Sequence, residues 1–166
     1  MIYDVLIRKL SVTAMLDIKG RLADIQPRLQ RLGLTSPPPG RASSAYGVEV
    51  FCVAAEHWLV RAPLTDEDTI LSSLLFKEPA PDTLILAVSD AYSFFEITGA
   101  DARQVVVIAS PLDVHATAFP EDGATFTEAF GQKALLVRKL SGFDLAVDSS
   151  LAPMMASYFS RITGGG

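Results

Sequence analysis

Val88-Ser-Asp-Ala-Tyr-Ser-Phe-Phe-Glu-Ile-Thr-Gly-Ala-Asp-Ala-Arg-Gln-Val106 reads as a strand that turns through a glycine into a helix. Ser93, Phe95 and Ile97 alternate with Phe94, Glu96 and Thr98, the period of two of a half-buried strand. Gly99 supplies the turn. Thr98, three residues before Asp101, marks a helix N-terminus, with a side-chain acceptor for orphan amides and a carboxylate at the positive end of the dipole. Ala102, Val105, Val106 and Ala109 then recur at i, i+3, i+4 and i+7, the stripe that docks a helix on a sheet. A strand, a glycine and a helix N-terminus can also cradle a phosphate. A dinucleotide site needs several glycines at fixed spacing, however, so Gly99 and Asp101 are read as a structural turn.

Working outward, Thr83 to Val88 is apolar on successive residues, as a central strand would be, and feeds this stretch directly. Before it, Thr65-Asp-Glu-Asp68 opens a helix with Ile70, Leu71, Leu74 and Leu75 inward. Val48, Val50 and Cys52 alternate with their neighbours and pair with Trp58-Leu-Val60 as a hairpin. Tyr3 to Leu10 and Val12 to Lys19 are two further strands, and Asp24 caps a helix over 25–32. Pro27 is tolerable there because it falls in the first turn. Residues 35–46, with Ser36-Pro-Pro-Pro-Gly40 at their head, form a proline-stiffened linker from that helix to the main body. On the other side, Pro111 to Pro120 lacks a period and reads as an ordered loop. Ala124 to Phe130, Ala134 to Lys139 and Phe143 to Val147 are strands, a last helix runs on Leu151, Met154, Met155, Tyr158, Phe159 and Ile162, and residues 163–166 form a flexible tail.

Leu16-Asp-Ile-Lys-Gly20 resembles Phe95-Glu-Ile-Thr-Gly99, and each precedes a helix. The expectation is an α+β fold of two similar halves of split βαβ, ferredoxin-like type, with antiparallel-rich sheets and helices packed on them, within one domain over 1–166. No apolar run approaches the roughly 20 residues of a spanning helix, so no membrane is expected. Asp4, Arg8 and Lys9 interrupt any signal peptide. The single Cys52 has no partner for an internal disulfide, which makes the cytoplasm the expected compartment. Net charge is −5; residues 1–43 hold seven basic against three acidic residues, and the remainder seven against sixteen. That dispersed basic excess argues against nucleic acid.

Glu56-His-Trp-Leu-Val60, the Val88–Val106 stretch, Pro111-Leu-Asp-Val-His115 with Phe119-Pro120, and Arg138-Lys-Leu-Ser-Gly-Phe-Asp-Leu-Ala-Val147 with the closing helix together resemble the small gamma subunit of heterotetrameric sarcosine oxidase, over about residues 45 to 162. The same blocks are similar, more distantly, to the folate-binding module of the T-protein, an aminomethyltransferase, whose Gly-Pro-x-Ala turn corresponds to Gly99-Ala-Asp-Ala102. The resemblance implies a multi-subunit enzyme that oxidatively demethylates sarcosine or a related N-methyl amino acid, using FAD, FMN, NAD and tetrahydrofolate held in larger subunits. It implies that this chain packs against an alpha-type subunit in an assembly role, carries no cofactor or metal of its own, and self-associates or exposes an apolar patch when isolated. The alternative is a freestanding folate-binding or aminomethyltransferase-like protein of one-carbon metabolism.

In the T-protein module an acidic residue stands on the strand before a motif onto which Trp58-Leu-Val60 falls. Its place here falls near Tyr46-Gly47, where no acid stands; Glu49 is the nearest candidate, and the folate acid is read as absent. Asp113 and His115 form the other polar pair with an enzymatic look, against the plainer reading of a loop-ordering Asp and a surface His. Trp58 is either core or an interface anchor. Among titratable groups near neutrality there are only His57 and His115.

Overall fold

The computed structural model describes residues 3–164. In chain order these form β1 (Leu6–Lys9), β2 (Ala14–Lys19), α1 (Leu22–Gln30), β3 (Arg41–Ala45), β4 (Val48–Ala54), β5 (His57–Ala62), α2 (Glu67–Leu74), β6 (Leu84–Ala87), β7 (Tyr92–Thr98), α3 (Ala102–Ala109), β8 (Ala124–Ala129), β9 (Gln132–Lys139), β10 (Gly142–Asp148) and α4 (Ala152–Thr163). They make two compact units, one from Val12–Asp90 and the other from the flanking stretches, up to Ser11 and from Ala91 onward. Each is an antiparallel five-stranded sheet with two helices, so the α+β expectation of two similar halves holds.

The strand orders are β3-β4-β5-β2-β6 and β8-β9-β10-β7-β1. In each sheet the strand that runs into the unit's first helix, β2 or β7, lies between a short edge strand and a three-stranded meander. The edge strands are exchanged along the chain. β1 immediately precedes β2 but pairs with β7, and β6 immediately precedes β7 but pairs with β2. The chain is thus two runs of strand, strand, helix, three strands, helix, in which each leading strand completes the other run's sheet.

The quoted stretch behaves as its pattern predicts. Phe95 and Ile97 point to the helix-covered face of their sheet, where they join Val105, Val106, Ala109, Leu136, Leu145, Val147, Met155 and Phe159 in one core. Leu16, Ile18, Ile25, Leu29, Val50, Trp58, Val60, Ile70 and Leu74 form the core of the other unit. Gly99 takes φ +117°, and a Cβ there would stand 2.5 Å from the backbone oxygen of Asp4. Only glycine combines that dihedral with that approach.

Several expectations are corrected. Asp101 does sit at the N-cap position of α3, but its carboxylate makes no cap there; it accepts from the Asp4 amide (2.7 Å), and its own amide donates to Asp4 O (3.0 Å). Thr98 ends β7 instead of starting the helix. Asp24 lies inside α1, which begins after Arg21. The stretch 35–46 is not a spacer throughout: Arg41–Ala45 pair with β4, because Tyr46 (φ 53°) and Gly47 (φ 78°) form the two-residue turn with both φ positive that hairpins favour. The apolar run at 84–87 is an edge strand; Ile85 is buried while Leu84 and Leu86 are about half exposed, since β2 is its one neighbour. Leu75 is likewise exposed, because α2 ends at Leu74. Thr163 belongs to α4, Gly164 closes that helix in the left-handed conformation, and the rest of the expected tail lies outside the described residues.

Candidate functional site

Residues named from the sequence fall in three places. Trp58 is in the core of its unit, 2% exposed, with its indole N–H donating to Ser36 Oγ at 2.8 Å. That removes it as an interface anchor: alternation along β5 aims it at the helices, and the serine that opens the proline run satisfies its polar edge.

Glu49, His57, Leu59 and Arg61 lie on the opposite face of the same sheet, together with Met15, Asp17 and Phe51. Glu49 stands directly across from Arg61, whose Nε and Nη2 both donate to Glu49 Oε2 at 2.7 and 2.6 Å. The Arg61 guanidinium also lies 5.9 Å from the centre of the Phe51 ring. On the neighbouring ladder, His57 Nε2 meets Asp17 Oδ1 at 2.8 Å. Both carboxylates on this face therefore have cationic or hydrogen-bonding partners within the unit. The Glu49 carboxylate is engaged through Oε2 by a guanidinium, a charge-assisted pairing that ties it to β5. Arg61 was missed in the sequence, where only the pairing register makes it Glu49's neighbour.

Asp113 and His115 lie in the irregular stretch after α3. Their side chains are not paired with each other. Asp113 Oδ1 accepts the His115 backbone amide at 2.9 Å, an Asx turn, while His115 Nδ1 is 3.0 Å from Thr117 Oγ1. The loop is tied to the sheet by Arg138 of β9, which donates to the carbonyls of Val114 (3.0 Å) and Phe119 (3.5 Å) and stacks over Phe143. This is loop-ordering chemistry. The same loop forms one wall of an open groove of about 770 Å³, whose other wall is the outer side of α3 with Arg103, Val107 and Ile108.

Elsewhere, a buried cation stands out. Arg28 of α1 is fully buried and donates to the carbonyls of Leu74 (2.6 Å), Lys77 (3.1 Å) and Glu78 (3.4 Å), as well as to the Asp24 carboxylate (3.2 Å). Burial opposes ionisation of Asp24, but hydrogen bonds from Arg28 and Thr83 and the Arg28 charge outweigh it and hold the carboxyl below its usual range. Burial pushes the Cys52 thiol up, and the thiol donates to the Ala54 carbonyl, so it stays protonated and unreactive. Among the described residues no cluster of three or more His, Cys, Asp or Glu is arranged to hold a metal, and no helix is long and apolar enough to cross a membrane.

Two five-stranded antiparallel sheets, each backed by two helices, define an α+β fold, and two solved structures share it. The solved structure of heterotetrameric sarcosine oxidase from Corynebacterium sp. U-96, in complex with pyrrole 2-carboxylate, contains a chain similar to this one at a TM-score of 0.82 and 20% identity, over 96% of this chain and 85% of that one. The glycine cleavage system aminomethyltransferase T from Bartonella henselae is similar at a TM-score of 0.69 and 12% identity; this chain spans 46% of it. No protein-family model and no curated protein sequence matches the chain.

Proposed function

We propose that this chain is a small, non-catalytic, gamma-type subunit of a multi-subunit oxidase of sarcosine or a related N-methyl amino acid. The observation that carries the reading is the reciprocal likeness to one short chain of the heterotetrameric enzyme, which spans nearly all of this chain and most of that one. The site chemistry supports it. The carboxylates of Glu49 and Asp17 are held by Arg61 and His57, and Asp113 and His115 order a loop. On this reading FAD, FMN, NAD and tetrahydrofolate reside in larger partner subunits, chiefly with an alpha-type subunit as neighbour, the assembly works in the cytoplasm, and this chain contributes fold and interface.

The test has two arms. The purified chain should be colourless, should give no heat of micromolar binding when titrated calorimetrically with tetrahydrofolate, and should not oxidise sarcosine, whereas the assembly recovered with it from its native host should do so. Tight tetrahydrofolate binding by the isolated chain, weakened in Glu49→Ala, would replace this reading with a freestanding one-carbon-transfer protein.

A further inference from the structure

We draw no further inference here: the strongest candidate, the cavity of about 290 Å³ where the Gly99 turn and the start of α3 meet Arg103, Arg138 and Lys139, is a helix N-terminus two of whose three cations are already engaged, Arg138 by the carbonyls of Val114 and Phe119 and Lys139 by Asp144, and among the described residues no buried, unpartnered polar side chain points into it to mark a ligand.

Discussion

The units built around β2–α1 and β7–α3 share a strand order, a glycine at the strand-to-helix turn and an aromatic-glycine hairpin, Tyr46-Gly47 in one and Phe130-Gly131 in the other. They differ in how they finish. Around α1 the chain closes on itself with a fully buried arginine, and Tyr46 is left 94% exposed at its turn. Around α3 an open groove of mixed lining remains among the described residues, while Phe130, partly buried, packs against Tyr158 and Phe159. One architecture thus tolerates a polar seal or an open flank at the same place. The framework is carried by sheet pairing and the helix–sheet core, and the flank of the first helix is free to change its chemistry.

The sharpest way to break this comparison is to remove the seal. Arg28→Ala strips three carbonyls of a fully buried donor and leaves the Asp24 carboxylate with Thr83, and the expected cost is about 3–5 kcal/mol in denaturant unfolding. Ile108→Ala at the equivalent place, next to buried Ala109 as Arg28 is next to buried Leu29, should cost under about 1 kcal/mol, because half of that side chain is already in water. Comparable losses at the two sites would show that the flanks are energetically alike after all.

The turns come next. A Cβ at Gly99 meets backbone, the Asp4 oxygen at 2.5 Å, whereas at Gly20 it meets the Thr83 side chain at 2.8 Å, which can rotate. Gly99→Val should therefore destabilise by about 1–3 kcal/mol and Gly20→Val by less, read as the difference in melting temperature. Equal shifts would place the strain in φ alone.

A smaller effect is expected with pH. Because the Asp24 carboxyl titrates below its unfolded value, its ionised form is favoured by folding. The contribution is fully present above about pH 4 and is lost as pH falls through the lower folded value. Asp24→Asn should flatten the acid limb of a stability-versus-pH curve, and an unaltered limb would mean that other carboxylates set it. The smallest change is expected for Asp113→Ala, which loses one Asx-turn hydrogen bond in an exposed loop, about 0.5–1 kcal/mol. A loss well beyond that would give this aspartate a role outside its loop.

Much of this was legible in the residues. Alternation over 93–98 and the stripe at Ala102, Val105, Val106 and Ala109 located β7 and α3, and the Leu16–Gly20 echo of Phe95–Gly99 pointed to two halves. The Tyr46-Gly47 turn was an overlooked signal for β3, and Asp24 and Arg28, four apart on a helix, for the polar seal. Local periodicity and turn chemistry depend on neighbours in sequence, and so a single chain determines them without further information. Tertiary structure alone decided which strand completes which sheet, that an apolar run at 84–87 would be an edge, that Glu49 would be held by Arg61, and that α3 would keep an open flank. These outcomes depend on residues brought together from distant parts of the chain, Asp4 with Asp101 or Arg28 with Glu78, and no pattern within either segment specifies the other.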